Sequence, residues 1–233
     1  MKLSIIIPVY NEESTIKEVL EKIETLSLPI EKEIIVVNDG STDKTFSILE
    51  QMKKTNKEIS VVYNSLINIG KGAAVRIGFQ HVKGDIILIQ DADLELDPNE
   101  IKHLIEPILQ NKTKVVYGSR YLTKNKKITF LNYVANKFLS LLTNFLYKSK
   151  ISDMETAYKV FKKEVLSDIK LKSLKFDFEP EITAKILKKG YKIMEIPIGY
   201  NPRSSYEGKK IGWKDGVMAI YTLLKIKFQK EKF

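Results

Sequence analysis

Short apolar runs alternate with amphipathic stretches along the first 120 residues. Runs such as Leu3–Ile7 are rich in β-branched residues, a pattern typical of strands buried on both faces. The stretches between them repeat apolar residues at helical spacing. This alternation predicts right-handed crossovers and an α/β fold, with a mostly parallel central sheet flanked by helices. The predicted strands are Leu3–Ile7, Glu33–Val37, Ile59–Tyr63, Asp85–Gln90 and Lys114–Tyr117, and the predicted helices lie near residues 12–26, 43–55, 71–82 and 98–110.

The pattern is less regular after residue 120. A long apolar helix is predicted at about residues 129–147 and a final helix at about 212–227. Between them lie a predicted strand at Ala157–Phe161, a helix at about 179–188 and a strand at Lys192–Pro197. The 233 residues contain no internal repeat and no low-complexity linker, and they are enough for one large domain or two small ones.

Polar side chains follow every predicted strand of the first half. In an open parallel sheet, ligands bind beyond the carboxyl ends of the strands, so these loops are expected to meet on one edge. Any one of them could be an ordinary turn, but five polar loops on one edge indicate a binding site. The loops are Pro8–Glu12, Asn38–Asp43, Asn68–Gly72, Asp91–Glu95 and Gly118–Arg120.

The fourth of these loops concentrates negative charge. Asp91 and Asp93 are two residues apart and point the same way in extended chain, so their carboxylates repel each other. A divalent cation with oxygen ligands, Mg²⁺ or Mn²⁺, would remove this repulsion and leave positions for substrate phosphates. Asp97, before Pro98, is instead expected to cap the next helix, and Glu95 is intermediate between these roles.

Two common nucleotide-binding motifs are missing. No G-x-G-x-x-G follows the first predicted strand, and Gly70-Lys71-Gly72 lacks the upstream glycine and the Ser/Thr of a P-loop. A glycine-rich turn that opens a helix can still present backbone N–H groups to an anion.

The sequence resembles the family 2 glycosyltransferases in five motifs that occur in this order: IIIPVYNEE, VVNDGSTD, NIGKGAA, QDADLELDP and YGSR. The resemblance implies an inverting enzyme with a nucleotide-sugar donor and one nucleotide-binding domain of the glycosyltransferase A type. The segments SDMETAYKVFKKEVL and FDFEPEITAKILKKGYKIMEIPIGY look like the dolichol-phosphate mannose synthase and polyprenyl-phosphate glycosyltransferase branch. The implied division of the domain is a nucleotide-sugar-binding half, residues 1–120, and an acceptor-binding half, residues 121–233.

The resemblance also implies roles for individual residues. Asp39 would address the base, Arg120 would meet the acceptor phosphate, and Arg203 and Lys209 would close over the diphosphate. A second acceptor-side arginine of some relatives has no counterpart in residues 121–150. The implied nucleotide-binding residues are Pro8, Tyr10, Glu12, Asp39, Lys71 and Asp91; the metal ligands are Asp91, Asp93 and Glu95; and the catalytic set is Asp91, Asp93, Arg120, Arg203 and Lys209.

The implied reaction moves a hexose from a donor of the GDP-mannose or UDP-glucose type to a dolichyl or undecaprenyl phosphate. Such a phosphate is already an anion, so it needs little deprotonation by a general base. The harder task is to stabilise the charge on the departing nucleoside diphosphate. Two alternatives remain open at this point: the same donor with a soluble or glycan acceptor, and a non-catalytic nucleotide-sugar-binding scaffold. Glu179 and Glu181 either orient the sugar or nearby cations, or simply favour a helix N-terminus.

Positive charge is concentrated in two segments of the second half. Residues 121–150 carry six lysines and no acid, and residues 201–233 carry eight Lys/Arg against three acids, in a chain of net charge +10. The helices near 128–147 and 212–228 combine these lysines with large apolar residues, a pattern typical of interfacial amphipathic helices. Packing of the first helix against the sheet or against a second subunit is the alternative.

These features predict a protein that binds peripherally to the cytoplasmic face of a membrane, directly or through an integral membrane partner. There are no cysteines, no signal-peptide pattern and no apolar run of spanning length. Nucleic acid is not an expected partner, because the lysines are not interleaved with the arginine-and-aromatic stacking platforms of single-strand binders and no recognition motif is present.

Overall fold

The computed structural model describes residues 1–123, 128–167, 169–203 and 212–229 and follows the predicted alternation of strands and helices. The strands are β1 (Lys2–Val9), β2 (Glu31–Asn38), β3 (Ile59–Asn64), β4 (Ile86–Ile89), β5 (Val115–Ser119), β6 (Lys159–Lys162) and β7 (Ile193–Pro197). The helices are α1 (Ile16–Thr25), α2 (Thr45–Thr55), α3 (Lys71–Gln80), α4 (Ile101–Leu109), α5 (Phe130–Tyr147), α6 (Lys163–Ser167), α7 (Phe178–Lys188) and α8 (Trp213–Phe228).

All seven strands form one sheet in the order β3-β2-β1-β4-β6-β5-β7. Strands β1 to β4 pair in parallel, as do β5 and β7, whereas β6 is antiparallel to both of its neighbours. The expected α/β fold with a mostly parallel sheet is therefore confirmed. The reversed direction of β6 was not part of the prediction.

The direction of β6 determines which loops meet at the carboxyl edge. Lys159 pairs with Ile89 at the end of β4 and with Tyr117 near the end of β5. Since β6 runs the other way, the segment before it, residues 152–158, lies on the same edge as Asp91 and Arg120. A sixth loop therefore joins the five that sequence reasoning placed there.

Apolar side chains fill both faces of the sheet. Leu3, Ile5 and Ile7 of β1 pack toward α1 and α4, while Ile6 faces α3. Each fully buried side chain of this kind contributes about 1.5 to 3 kcal/mol, so the central strands hold the edge loops on a rigid base. A Cβ at Gly78 would lie 2.5 Å from Cγ2 of Ile6, so a larger residue would push α3 off the sheet.

Helix α5 buries its polar stripe and exposes its apolar face. Asn136, Ser140 and Thr143 are buried, whereas Phe130 and Phe145 are 82% and 83% exposed. The helix packs on α7 and α8 through a small cluster that includes Leu139 and Leu146. Further exposed apolar residues on α5 and α8 are Leu131, Val134, Phe138, Leu141, Val217, Met218, Tyr221 and Phe228.

Within the described part of the chain, none of the helices has both the length and the apolar character required to cross a bilayer.

Candidate active site

The first two edge loops are joined by hydrogen bonds. Asn11 adopts a left-handed conformation with φ of 53°, and its side-chain Oδ1 accepts a bond from the Thr42 amide at 2.8 Å. The Asn11 amide donates to Ser41 Oγ at 2.9 Å, and the Glu12 amide donates to Thr45 Oγ1 at 2.9 Å. Pro8 is buried opposite Val37. These bonds fix the first loop beside the second. Pro8, half-buried Tyr10 and Glu12 thus form a rim at this end of the edge.

Asp39 connects the second loop to the third. Its side chain is 3% exposed, and its two oxygens accept bonds from the amides of Ile69 at 3.0 Å and Gly70 at 2.7 Å. Gly40, at φ of +69°, allows close approach, since a Cβ there would lie 2.4 Å from the Ile67 carbonyl carbon. The predicted base-reading residue thus also holds the loop that leads into α3.

A chain of alternating charges runs inward from Asp91. Lys71 Nζ lies 2.8 Å from Asp91 Oδ1 and 3.0 Å from Glu179 Oε1. The other carboxylate oxygen of Glu179 accepts a bond from Lys159, which is fully buried and lies 4.8 Å from the ring centre of Tyr117. Four charged groups, from α3, β6, α7 and the loop after β4, are therefore joined beside the end of β4.

The pKa values of this chain reflect burial and pairing together. Burial alone would lower the pKa of Lys71, but the charges of Asp91 and Glu179 outweigh it and raise that pKa. Burial would raise the pKa of Glu179, but Lys159 and Lys71 lower it. Burial raises the pKa of Asp91, and the like charge of Asp93 adds to this effect. Lys71 and Glu179 are thus held ionised.

Arg203 contacts three further acids of the edge, Glu12, Asp93 and Glu95. Its Nη1 lies 3.0 Å from Glu12 Oε1, its Nη2 lies 2.8 Å from Asp93 Oδ2, and its Nε lies 3.8 Å from Glu95 Oε1. The Arg203 amide also donates to Glu95 Oε1 at 3.1 Å. Burial and the neighbouring Glu95 raise the pKa of Asp93, which Arg203 partly offsets.

The three predicted metal ligands do not converge. Asp91 faces Lys71, whereas Asp93 and Glu95 face Arg203. Among the described residues, no group of three or more acidic or histidine side chains is placed to hold a metal ion. Mg²⁺ needs only one or two carboxylates when substrate phosphates supply further oxygens. Asp93 and Glu95 fit that requirement. Their carboxylates repel each other, and in the structure one cation, the guanidinium of Arg203, already binds both.

Arg120 forms the second charged centre of the edge. Its Nε and Nη2 each lie 2.8 Å from the carboxylate of Asp153, in the two-point geometry that suits a guanidinium. Asn136 of α5 donates to Asp153 Oδ1 at 2.6 Å, and the ring of Tyr200 lies 5.2 Å from the guanidinium carbon. Burial would raise the pKa of Asp153, but Arg120 lowers it.

The structure separates the roles of the two acids at the start of α7. Glu179 bridges Lys71 and Lys159, so it orients cations of the site. Glu181 accepts bonds from the amides of Lys172 at 2.9 Å and Ser173 at 2.7 Å, so it secures the preceding loop. Lys209 lies outside the described residues.

Several charged residues of the edge were not assigned roles from the sequence. Asp153, Glu155 and Lys159 stand in or beside the segment 152–158, and Glu195 of β7 binds the amides of Ser152 at 2.8 Å and Asp153 at 3.0 Å. Three charges within seven residues, two just before a predicted strand and one inside it, were the available signal. The direction of that strand, and hence the edge that it reaches, could not be inferred from its pattern.

Comparison with known proteins identifies related sequences. The model of glycosyl transferase family 2 matches residues 4–170. Dolichol-phosphate mannosyltransferase of Pyrococcus furiosus is 30% identical over 97% of this chain, and dolichyl-phosphate beta-glucosyltransferase ALG5A of Trichomonas vaginalis is 32% identical over 96%. This chain spans 64% of the Pyrococcus protein and 72% of the Trichomonas protein.

A further relative and a solved structure extend this comparison. Undecaprenyl-phosphate 4-deoxy-4-formamido-L-arabinose transferase of Edwardsiella ictaluri is 26% identical over 95% of this chain and 65% of its own length. Glucosyl-3-phosphoglycerate synthase from Mycobacterium tuberculosis, solved with Mn²⁺, UDP and phosphoglyceric acid, superposes with a TM-score of 0.74 at 20% identity. That alignment covers 99% of this chain and 80% of the other, and it supports the fold assignment.

Proposed function

The chain belongs to glycosyl transferase family 2, in the branch of the polyprenyl-phosphate sugar transferases, and from this premise we propose that it transfers a hexose from a nucleotide sugar to a polyprenyl phosphate. The observation that carries this proposal is the attachment of Arg120 to α5. Asp153 binds both the guanidinium of Arg120 and the side-chain amide of Asn136. The outer face of α5 is apolar and exposed. An anion-binding group thus adjoins a lipid-compatible surface.

The donor would bind at the opposite side of the edge. Asp39 and the rim formed by Pro8, Tyr10 and Glu12 surround the proposed nucleoside position, and Lys71 at the start of α3 would attract the diphosphate. Backbone amides at the start of a helix add a favourable electrostatic contribution for phosphate. GDP-mannose and UDP-glucose are both proposed as donors.

A divalent cation, Mg²⁺ or Mn²⁺, would be held by Asp93 and Glu95 with Asp91 nearby, and when bound it would neutralise negative charge on the diphosphate. The chain's own cations share this task. Lys71 is held in place by Asp91 and Glu179, and Arg203 would move from Asp93 and Glu95 to the diphosphate, with Lys209 as its proposed companion. Charge that develops on the leaving group is stabilised most by cations that are already positioned.

The acceptor phosphate would approach from the side of Arg120. The guanidinium is fixed by two bonds to Asp153, so it can orient a phosphate without losing much conformational freedom. A phosphate monoester is ionised near neutral pH and needs no strong base. We propose that its oxygen attacks the anomeric carbon while the bond to the diphosphate breaks on the other side, which inverts the configuration.

We further propose that the outer face of α5, with α8 beside it, rests on an anionic membrane surface. Exposed apolar residues bury area in the interfacial region, and nearby lysines such as Lys137 and Lys148 attract anionic lipid. A peripheral position on the cytoplasmic face, directly or with an integral partner, follows as part of the same proposal.

The experiment begins with donor binding. Thermal unfolding is measured with GDP-mannose, UDP-glucose, GDP and UDP in the presence of Mn²⁺, because a ligand that binds only the native state raises Tm. Transfer of labelled sugar from the stabilising donor is then followed to undecaprenyl or dolichyl phosphate in vesicles. We expect Asp93→Asn to reduce transfer at least about a hundredfold, as loss of one charge-stabilising group does elsewhere, and exposed Glu106→Gln to leave it unchanged.

The outcomes separate the competing functions. Transfer to phosphoglyceric acid or a glycan, with none to the lipid phosphate, would favour a soluble acceptor. Donor binding without transfer or hydrolysis with any metal tested would favour a non-catalytic scaffold.

A further inference from the structure

Glu155 carries a buried carboxylate oxygen that has no partner among the described residues. Its Oε1 is shielded from solvent and makes no hydrogen bond to any described residue. Three other carboxylate oxygens of the described chain are buried without a hydrogen bond, and each lies within ion-pair distance of a lysine: Glu33 at 3.2 Å, Glu58 at 3.3 Å and Glu179 at 3.0 Å. No Lys or Arg of the described residues forms such an ion pair with Glu155.

The groups around Glu155 are already committed to each other. Asp153 holds Arg120, and Glu179 holds both Lys71 and Lys159. Arg120 and Lys159 therefore act on Glu155 only at a distance, while Glu179 and Asp153 repel it. Burial, reinforced by Glu179, raises the pKa of Glu155 to about 7. A buried acid without a partner costs stability, so a purely structural role does not account for it.

The position of Glu155 lies between the two charged centres of the edge. Its segment, residues 152–158, enters β6 between the ends of β4 and β5. On one side stand Asp91 and Lys71 and on the other stands Arg120. The residue as a whole is half-buried, so a ligand on this edge can reach it.

The chemistry of that position identifies the part of the substrate that it suits. A carboxylate repels both the donor diphosphate and the acceptor phosphate, so it is unfavourable beside either. The sugar, which must lie between the two phosphates during transfer, presents several hydroxyl donors. A carboxylate oxygen with no other partner accepts such bonds well, and hydrogen bonds to charged groups are stronger than neutral ones.

We infer that Glu155 binds one or two hydroxyl groups of the sugar that is transferred and thereby selects the sugar. The inference rests on the proposed function, because it requires a sugar between Lys71 and Arg120. It assigns to Glu155 a contact that neither the nucleoside nor the phosphates would share.

The test compares binding of a nucleotide sugar with binding of its nucleoside diphosphate. Calorimetric affinities are measured for UDP-glucose against UDP and for GDP-mannose against GDP, on wild type, Glu155→Gln, Glu155→Ala and the exposed control Glu164→Gln. For the nucleotide that binds wild type, we expect both Glu155 variants to keep the diphosphate affinity and to lose about tenfold or more in affinity for the sugar form. Glu164→Gln should match wild type for both ligands.

Deoxysugar donors identify the contact and separate the failures. Removal of the sugar hydroxyl that Glu155 binds should weaken donor binding to wild type but leave donor binding to Glu155→Ala unchanged. If wild type binds neither donor, the proposed function fails and this inference fails with it. If wild type binds a donor and the Glu155 variants retain the full preference for the sugar form, the inference alone is overturned. Melting temperatures without ligand, expected at or above wild type at pH 8, show that the variants are folded.

Discussion

At the scale of single residues, the site is governed by competition for cations. Asp93 and Glu95 share the guanidinium of Arg203 in the structure, yet the proposed function asks them to hold a divalent ion. Both arrangements relieve the same repulsion, so they exclude each other. In the proposed function, Arg203 would be a resident counter-ion whose departure frees the acids and brings its own charge to the diphosphate.

This competition predicts opposite effects of one substitution. Arg203→Gln removes a partly buried cation from Asp93, Glu95 and Glu12, so we expect the free energy of unfolding without metal to fall by about 1 to 3 kcal/mol. The same variant should be stabilised more by Mn²⁺ than wild type, because the ion no longer displaces a bound group. Thermal unfolding over a Mn²⁺ titration measures both effects. Arg76→Gln, on α3, serves as the control, and equal stabilisation of all three proteins would contradict the competition.

The raised pKa of Glu155 predicts how the stability of the protein depends on pH. Burial raises its pKa to about 7 from an ordinary value of 4.5, so the folded protein keeps a proton that the unfolded chain releases. Wild type therefore loses stability from this group as the pH rises from about 4.5 to 7. Glu155→Gln carries no such proton. Its melting temperature should match wild type near pH 4 and exceed it above pH 7, and a difference that is constant with pH would contradict the assignment.

At the scale of elements, local patterns could be predicted from the sequence and their spatial partners could not. The strand beginning near Leu3 and the helix ending at Tyr147 follow directly from apolar periodicity. Lys71 and Asp91 were each assigned to the nucleotide site, but their ion pair depends on how α3 and β4 align. The reversed β6 brings Asp153 and Glu155 to the edge through tertiary pairing, which periodicity does not encode.

Helix α5 shows why its hydropathy was ambiguous. An apolar stripe usually faces a core, yet here Asn136 and Ser140 face inward because Asp153 and the Met154 amide bind them. Buried polar groups need such partners. Those partners come from a segment whose position was not evident in the sequence, so the outward direction of the apolar face was predictable only as one of two alternatives.

The exposed apolar face of α5 is the proposed membrane contact, and this proposal can be tested by substitution. Phe130 and Phe145 contact little of the protein, so replacing both with serine should change the free energy of unfolding by less than about 0.5 kcal/mol per site. Each phenylalanine contributes about 1.5 to 3 kcal/mol when it is buried in an apolar phase, so we expect at least about tenfold weaker binding to anionic phospholipid vesicles. Flotation and co-sedimentation measure the binding.

The matched control for this experiment is Leu66→Ser. Leu66 is 95% exposed but follows β3, at the opposite side of the sheet from β7. Its replacement should leave vesicle binding unchanged. If the two variants bind alike, the outer face of α5 is not the membrane contact.

At the scale of the whole molecule, one sheet joins the proposed donor and acceptor sides. Strand β6 lies between β4 and β5 and pairs with both. The first half of the chain therefore does not complete its own sheet without a strand from the second half. This interleaving fixes the distance between Lys71 and Arg120, which the proposed in-line transfer requires.

Interleaving predicts that the chain unfolds as one cooperative unit. Val160 of β6 is fully buried opposite Leu88 of β4 and Val116 of β5. Val160→Ala should cost about 2 kcal/mol through lost contacts and a cavity, and it should lower the protection of amides in β1 and in β7 by the same factor in hydrogen exchange. The control Val217→Ala, at an exposed position of α8, should change neither. Two separate unfolding transitions, or a loss of protection confined to β5 and β7, would mean that the halves fold independently and that the sheet alone does not set the spacing of the two charged centres.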